Sequence, residues 1–349
     1  MAGKIVIIGG GPVGSYLAFL LGKKFDVTVF EQGEIGEPVQ CTGIVTRDID
    51  SIKALRAERK KATVNTIRKA RIHSPHEKMD LTLRSNHIID RAVFDRAIAR
   101  KAKNAGAHYI HERVRKVSDN SITTTKEYTA DMIIGADGPG SIVRRRIDPR
   151  KIRMRQGIQA RVRSRNDNNV EFFPYIGDYA WAVPEDKEVM RIGCIGNKRV
   201  FRKFLKRFDG DILEYQGGMI PDHDPRLRTQ SGNLYIAGDA AAQVKATTGG
   251  GLVPGLQAAE CLAEAIIEGG DYERLWRKRL GRNLWAHLMI RRMLDRFSER
   301  DFDRLIRLTR QKRIRKIIEE SDRERPVEYL MKLLLYEPRY LYFTKTFLI

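Results

Sequence analysis

Glycines between two apolar β-type runs have the spacing that binds the pyrophosphate of a dinucleotide. The first run, Ile5 to Ile8, is followed by Gly9-Gly10-Gly11-Pro12-Val13-Gly14 and then by a helical pattern. In this G-x-G-x-x-G arrangement Gly9 permits the tight turn, Gly11 lets the backbone approach a phosphate, and Gly14 permits close helix–strand packing. The segment therefore predicts a phosphate cradle, with a glycine turn used only for packing as the alternative.

The residues around this turn complete the pattern. Val13 lies at the start of the predicted helix, where free N–H groups and the helix dipole favour an anion. A second apolar run, Val27 to Phe30, ends in Glu31. A carboxylate at this point can accept hydrogen bonds from an adenosine ribose. The order strand, turn, helix, strand, acid therefore predicts a bound adenine dinucleotide.

Two later apolar stretches end in an aspartate beside a glycine, and a third segment begins a helix with glycines. Ligands of doubly wound sheets gather at the carboxyl ends of strands. A carboxylate there can hold ribityl hydroxyls, and a glycine-rich helix start can lie against a flavin ring and its phosphates. The residues predicted to do so are Asp137, Gly138, Asp239, Gly250, Gly251 and Leu252.

Together these segments resemble the FAD-dependent hydroxylase and reductase superfamily. The resemblance implies an α/β fold like that of p-hydroxybenzoate hydroxylase, with a Rossmann-type FAD-binding domain, an inserted antiparallel β-sheet substrate domain and C-terminal helices. It also implies that Arg91, at the start of the helix that Asp90 can cap, reaches the ribityl and phosphate region. Val114, on the strand after Gly106, is expected to meet the adenine. Only one G-x-G-x-x-G is present, so the sequence gives no ground for a separate nicotinamide domain.

Three further segments narrow the resemblance to the geranylgeranyl reductase family, including archaeal digeranylgeranylglycerophospholipid reductases: Gly36 to Gly43, Tyr179 to Pro184 and Gln216 to Pro221. The family carries a Cys-x-Gly element beside the flavin, a Tyr-x-Trp-x-Phe-Pro element lining the lipid pocket and a Thr-x-Gly-Gly-Gly loop. The matching residues here are Cys41, Gly43, Tyr179, Trp181 and Pro184. Val183 stands where the family often has Phe, and 349 residues is short for the family.

Tyr179 and Trp181 alternate along a predicted strand, so both rings face one side. Two aromatic rings make an apolar wall that suits a polyprenyl chain, which offers only shape and apolar area to recognise. An ordinary half-buried strand is the alternative. Cys41 could supply a proton near the flavin, or it could be a small buried thiol.

The predicted activity is that of an FAD-dependent oxidoreductase acting on CH–CH groups. It saturates isolated C=C bonds of geranylgeranyl chains in isoprenoid (archaeal-type) membrane lipid precursors or in geranylgeranyl diphosphate. An external donor, either ferredoxin, reduced deazaflavin or NADPH, is expected. A flavin-dependent monooxygenase or halogenase is the enzyme alternative, because Tyr-x-Trp-x-x-Pro is similar to the Trp-x-Trp-x-Ile-Pro of halogenases. A prenyl-binding escort-type protein of the same fold is the non-enzyme alternative.

Composition limits the partners and the compartment. The net charge is +21 and the three cysteines lack metal-ligand spacing, so we expect no metal site and a reducing cytoplasm. The basic surface is either simply solvated, or attracted to an anionic membrane surface or phosphorylated substrate. No nucleic-acid module is visible. With neither a signal peptide nor a membrane-spanning run, we expect a cytoplasmic protein, free or peripheral on the inner face of the membrane.

The predicted domains are discontinuous. The FAD-binding domain comprises 1–61, 86–150 and 230–270, the β-rich substrate domain comprises 62–85 and 151–229, and 271–349 is helical. In that last region Trp276, Leu280, Leu284 and Leu288 recur at helical spacing. The aromatic-rich end, 333–349, fits interfacial membrane contact, a lid over an apolar pocket, or packing against the body.

Overall fold

A computed structural model of the chain describes residues 3–321 and 324–347. The strands are β1 (Lys4–Ile8), β2 (Asp26–Glu31), β3 (Ile44–Val45), β4 (Thr63–His73), β5 (Lys78–Ile89), β6 (His108–His111), β7 (Lys116–Val117), β8 (Ser121–Thr123), β9 (Glu127–Thr129), β10 (Met132–Gly135), β11 (Met154–Arg163), β12 (Val170–Phe173), β13 (Tyr179–Pro184), β14 (Val189–Ile195), β15 (Asp211–Pro221), β16 (Gln230–Ser231) and β17 (Leu234–Ile236).

The helices are α1 (Pro12–Leu21), α2 (Arg56–Ala62), α3 (Arg91–Asn104), α4 (Ile142–Ile147), α5 (Lys198–Leu205), α6 (Leu252–Glu268), α7 (Tyr272–Trp276), α8 (Arg282–Leu294), α9 (Glu299–Thr309), α10 (Lys312–Glu320) and α11 (Pro326–Tyr336). Segments of 3₁₀ helix lie at Arg47–Ser51, Lys53–Leu55, Gly238–Ala241 and Pro338–Phe347, and a π-helical turn at Arg277–Gly281 joins α7 to α8.

The first large sheet has six strands in the order β16-β17-β10-β1-β2-β6. The five strands from β17 to β6 run parallel, and only β16 pairs antiparallel. Central β1 is buried from Ile5 to Ile8 because both faces of the sheet are covered. Ile5 and Ile7 pack in one cluster with α1, α3 and α6, whereas Val6 and Ile8 pack in another with Val143 of α4 and Ile122 of β8. Since α1 begins at Pro12 directly after β1, its N-terminus meets the carboxyl ends of the strands. The predicted Rossmann-type order is confirmed.

The second sheet has eight strands in the order β15-β11-β14-β13-β12-β4-β5-β3. Neighbours are antiparallel except β12 and β4, which run parallel, so the expected antiparallel sheet is mixed at this one pair. Strand β5 continues to Ile89 and pairs with β3. The expected boundary between residues 85 and 86 therefore cuts a strand, and the segment 1–61 contributes β3 to this sheet.

A small third sheet, β7-β8-β9, follows β6. Val114 lies in the loop between β6 and β7, and the prediction that it sits on a strand is wrong. The strand ends at His111 because its parallel pairing with β2 ends opposite Glu31. Val114 is nevertheless buried, in an apolar cluster with Phe30 and Val6.

The C-terminal region is helical, as the spacing of its large apolar residues predicts. Trp276, Leu280, Leu284 and Leu288 are all buried, and the indole N–H of Trp276 donates to Thr229 Oγ1 at 2.8 Å. This stripe attaches α7 and α8 to the body of the protein. Within the described ranges, every helix is too short or too polar to cross a bilayer.

Candidate active site

A cavity of about 810 Å³ lies between the two large sheets. One end is the glycine turn after β1, and the other end is the aromatic face of β13. The predicted site residues that line it are Gly9, Gly11, Val13, Glu31, Cys41, Arg91, Val114, Asp137, Gly138, Tyr179, Trp181, Asp239, Gly250, Gly251 and Leu252. The fold thus brings together residues from strand ends that are far apart in the sequence.

The glycine turn has one buried side and one open side. Gly9 has φ +101°, and a Cβ on it would lie 2.3 Å from the carbonyl oxygen of Ala136. A Cβ on Gly14 would lie 1.9 Å from the carbonyl oxygen of Gly9. A Cβ on Gly11 would meet nothing within 4 Å among the described residues. Gly14 therefore supports the turn from behind without lining the cavity, whereas Gly11 presents bare backbone to the cavity.

Glu31 is held at the edge of the cavity by backbone amides. Its Oε2 accepts from the N–H of Gly10 at 2.7 Å, and its Oε1 accepts from the N–H of Gly33 at 2.9 Å. A carboxylate has about four acceptor sites, so these bonds fix its orientation and leave capacity for ligand hydroxyls.

Two strand-end aspartates face the cavity. Oδ2 of Asp137 accepts from the N–H of Ile142, the first residue of α4, at 2.8 Å, while its buried Oδ1 has no hydrogen-bond partner in the described part of the chain. Burial raises the pKa of Asp137. Burial also raises the pKa of Asp239, and the charge of Arg91 opposes that shift. A ligand with hydroxyl or amide donors fits these two carboxylates.

Asp239 leaves no room for a side chain at Gly251, in the loop before α6. A Cβ on Gly251 would lie 2.6 Å from Oδ1 of Asp239, so no side chain fits there without movement. Gly251 is the N-cap of α6, and the free N–H groups of that helix end open onto the cavity. This is the second helix N-terminus, after α1, that can face an anionic or polar ligand.

Arg91 lies at the first position of α3, where Asp90 caps the helix by accepting from Val93 N at 3.0 Å. Its guanidinium makes two bonds to Asp95, at 3.0 and 2.8 Å, and it also interacts with the thiol of Cys41. Burial lowers the pKa of Arg91, but Asp95 and Cys41 raise it by more. Arg91 therefore links the start of α3 to the cysteine loop.

Cys41 and Gly43 form a tight loop in which the N–H of Gly43 donates to Cys41 Sγ at 3.4 Å. Gly43 has φ +74°, and a Cβ there would lie 2.3 Å from the carbonyl oxygen of Ile89. Gly43 is not among the described residues that line the cavity, and it packs against β5. Cys41, two residues earlier, does line the cavity.

A buried arginine that the sequence analysis missed holds this loop. Arg191 Nη1 donates to the carbonyl oxygens of Thr42 at 2.7 Å and Ile89 at 3.3 Å, and its Nε pairs with Glu185 at 2.9 Å. Burial raises the pKa of Glu185, but Arg161 and Arg191 together lower it below the usual value. The only sequence signal was a charged residue inside the apolar strand β14.

A second missed residue, Gln159, connects the cysteine loop to the aromatic wall. Its Oε1 accepts from the indole N–H of Trp181 at 3.2 Å and from Thr42 Oγ1 at 3.1 Å. Its Nε2 donates to the carbonyl oxygen of Cys41 at 3.2 Å and also to Gln216. Gln159 is buried on β11, so these bonds fix the two predicted functional elements relative to each other.

The aromatic wall has the predicted alternation. The rings of Tyr179 and Trp181 lie 6.2 Å apart on one side of β13, and Phe172 stacks on Tyr179 at 5.6 Å. These three rings are among the described residues that line the cavity, and Pro184 is not. Pro184 ends the strand, and its carbonyl accepts from Asn65 at 3.1 Å.

Polar residues close the cavity beside the glycine loop. Lys245 forms a buried ion pair with Glu324 at 2.5 Å, and Thr46 donates to the same carboxylate at 2.8 Å. His287 shares a hydrogen bond with Thr247 Oγ1 at 2.8 Å through Nδ1, whereas its buried Nε2 has no partner among the described residues. Lys245 and His287 also line a second, polar cavity of about 360 Å³.

Burial, and then the charge of Lys245, lower the pKa of His287 to about 3. In the unfolded chain His287 has the ordinary histidine pKa of about 6.5. As the pH falls, this histidine therefore binds a proton in the unfolded state before it does so in the folded state. We expect the free energy of unfolding to drop between pH 6.5 and 3 at up to about 1.4 kcal/mol per unit. Between pH 7 and 5, the free energy of unfolding measured in urea should fall by about 2 kcal/mol more in wild type than in His287→Gln. Equal losses would contradict a neutral buried His287.

Comparisons with known proteins agree with this architecture. The chain is 26% identical to the digeranylgeranylglycerophospholipid reductase of Methanothrix thermoacetophila, across 86% of this chain and 90% of that protein. It is 28% identical to the enzyme of the same name from Methanosarcina mazei, across 86% and 87%. No protein-family model matches the chain. The predicted resemblance to these archaeal reductases is confirmed.

Solved structures share the fold over nearly the whole chain. A geranylgeranyl bacteriochlorophyll reductase-like protein from Thermoplasma acidophilum superposes with a TM-score of 0.78 at 21% identity, covering 98% of both chains. A flavin-dependent brominase gives 0.71 at 16% identity over 97% of this chain and 100% of that one. A p-nitrophenol 4-monooxygenase from Pseudomonas putida gives 0.68 at 17% over 91% and 96%. The chain therefore has the predicted fold of flavin-dependent enzymes.

Proposed function

We propose that this protein is an FAD-dependent reductase that saturates isolated C=C bonds of geranylgeranyl chains in isoprenoid membrane lipid precursors or in geranylgeranyl diphosphate. One observation carries the proposal: a phosphate cradle and an aromatic wall line the same cavity. The similarity to digeranylgeranylglycerophospholipid reductases across 86% of the chain supports it.

The open backbone at Gly11 and the unpartnered Oδ1 of Asp137 fit a ligand that has both phosphates and hydroxyls. In this proposal Gly9 to Gly11 and the N-terminus of α1 hold the pyrophosphate, and Glu31 holds the ribose. Asp239, Asp137 and Arg91 face the ribityl region, Val114 meets the adenine, and Gly250 to Leu252 face the ring. FAD, when bound and reduced, supplies the electron pair for alkene reduction.

The wall of Tyr179, Trp181 and Phe172 is proposed to hold the prenyl chain. An isolated alkene offers no polar group, so apolar area and ring shape are what the protein can use for recognition. Holding the chain against these rings also excludes water from the reacting bond. The bond from Trp181 to Gln159 fixes the indole, which keeps the wall in place when the pocket is empty.

Saturation of an unactivated alkene also needs a proton at the second carbon, and Cys41 is the proposed donor. We expect Cys41→Ala to lower turnover about 100-fold, the usual contribution of a general acid, while FAD affinity changes little. Cys194→Ala is the matched control, because Cys194 is buried in β14 and does not line the cavity. Steady-state rates on a dispersed prenyl lipid provide the measurement. Unchanged turnover in Cys41→Ala would return Cys41 to a packing role and favour Tyr179.

A flavin-dependent monooxygenase or halogenase remains the second candidate. The brominase and p-nitrophenol monooxygenase folds favour it, with TM-scores of 0.71 and 0.68. Oxygen consumption coupled to a hydroxylated or halogenated product would support that activity. A protein that purifies without FAD and cannot take it up would instead support a prenyl-binding escort role.

The proposal requires an external electron donor and access to a membrane lipid. Ferredoxin, reduced deazaflavin and NADPH are the candidate donors. We infer that the protein works as a peripheral protein at an anionic membrane surface on the cytoplasmic side, since its net charge is +21 and its proposed substrate is a lipid.

A reoxidation assay tests the proposed function directly. The FAD-loaded protein is reduced with dithionite under anaerobic conditions, and a geranylgeranylated glycerophospholipid is added. We expect the yellow absorbance of oxidised flavin to return with the unsaturated lipid and not with its fully saturated analogue. Recovery with neither lipid, from a protein that takes up FAD, would contradict the reductase activity.

A further inference from the structure

Large apolar side chains are exposed together on α11 and the 3₁₀ segment after it. Leu335 is 73% exposed, Met331 65% and Leu341 55%. Leu334, Tyr336 and Tyr342 are each exposed by more than a third of their surface. We call residues 331–342 the C-terminal face. Isolated exposed apolar residues are ordinary, but a cluster of this kind marks an interaction surface.

Basic residues surround this face. Arg313 lies over the ring of Tyr336 at 4.0 Å, and Arg304 and Lys345 lie over the ring of Tyr342 at 3.8 Å. Lys332 and Arg339 are exposed on the face itself. From Tyr329 to Lys345 the sequence has one acidic residue, Glu337, which is buried and paired with Arg339 at 2.6 Å. The exposed charge of the C-terminal face is therefore positive.

We propose that the C-terminal face docks on the surface of a bilayer containing anionic lipids. Leucine and methionine side chains gain free energy on entering the acyl boundary, tyrosines suit the headgroup level, and the basic rim attracts anionic headgroups. This inference rests on the proposed function, because a reductase of membrane lipids must meet its substrate at the bilayer. A second copy of this chain fits the face less well, since the two basic rims would repel each other.

The position of the face relative to the cavities supports this orientation. Arg325 and Glu328, at the start of α11, line the second cavity. That cavity shares Lys245 and His287 with the main cavity. Docking through the C-terminal face would therefore place the membrane on the side of the molecule where α11 borders the second cavity, next to the main cavity.

Vesicle sedimentation of the whole protein tests the docking surface. Wild type should sediment with mixed phosphatidylcholine–phosphatidylglycerol vesicles more strongly than with phosphatidylcholine vesicles. Leu335→Asp should weaken binding at least about tenfold through lost apolar burial, and Lys332→Glu roughly fivefold with strong salt dependence. Leu213→Asp is the matched control, because Leu213 is 42% exposed but lies on the edge strand β15, away from the C-terminal face. The Leu213→Asp variant should bind vesicles as strongly as wild type.

Activity on detergent-dispersed prenyl lipid separates this proposal from the proposed function. Leu335→Asp should keep that activity while losing vesicle binding. A wild type that saturates dispersed lipid but binds neither vesicle overturns the docking surface alone. Vesicle binding without reductase activity overturns the proposed function alone. If Leu335→Asp separates a dimer in sedimentation velocity and leaves vesicle binding unchanged, the face is an interface between copies, and the docking proposal is wrong.

Discussion

Gly11→Ala is expected to leave the free energy of unfolding of the apoprotein within about 1 kcal/mol of wild type while weakening FAD binding at least about tenfold. The added methyl meets nothing within 4 Å in the described protein, and Gly11 has φ −64°, which alanine adopts without strain. The methyl instead projects where a pyrophosphate would approach the backbone. Urea unfolding of the apoprotein and fluorescence titration with FAD give the two quantities.

Gly14→Ala is the paired variant with the opposite expectation for stability. Its methyl would lie 1.9 Å from the carbonyl oxygen of Gly9, and backbone cannot yield as a flexible side chain does. We expect the apoprotein to lose about 3 kcal/mol, the upper end of the usual cost of overpacking. FAD affinity should fall as a consequence, because the turn is distorted. If Gly11→Ala bound FAD as tightly as wild type, the proposed cradle would be wrong.

Arg191→Met should both destabilise the protein and slow the proposed reaction. The substitution removes a buried charge that donates to Thr42 and Ile89, and leaves those carbonyl oxygens without this donor. Buried unsatisfied groups cost about 1 to 3 kcal/mol each, so we expect a loss of about 3 kcal/mol or more. A displaced Cys41 loop should lower turnover about 100-fold, as small misplacements near reacting groups do.

Arg161→Met provides the control for that variant. Arg161 pairs with the same carboxylate, Glu185, at 2.8 Å, but it is about one-third exposed and does not contact the cysteine loop. We expect it to cost about 1 kcal/mol or less and to leave turnover close to wild type. Equal effects of the two substitutions on turnover would mean that the loop is not positioned by Arg191.

The features that could be predicted from sequence are local in the chain. The turn from Gly9 to Gly14 and its flanking strands lie within one continuous segment, so spacing alone defines the cradle. The alternation of Tyr179 and Trp181 likewise needs only the period of a strand. The residues from Gly9 to Val13 line the cavity together with Tyr179 and Trp181, whereas Gly14 lies behind the turn.

The features that were missed depend on long-range contacts. Arg191 reaches Thr42 across 149 residues, and Gln159 reaches Cys41 across 118 residues. Nothing in the local pattern of β14 or β11 specifies those partners. The position of Val114 has the same cause, because β6 ends where its pairing with β2 ends. Pro184 is different: it lies three residues after Trp181 on β13, so the strand period alone puts it on the opposite face.

We propose that one cavity holds FAD against a prenyl chain and that the prenyl chain becomes saturated there. The measurement is an anaerobic incubation of the FAD-loaded protein with dithionite and a geranylgeranylated glycerophospholipid, followed by mass spectrometry. We expect the lipid mass to increase by pairs of hydrogens as successive double bonds are reduced, and we expect Gly11→Ala to lose this increase at low FAD concentration. An unchanged lipid mass with fully flavin-loaded wild type, or oxygen incorporated in air without saturation, would contradict it.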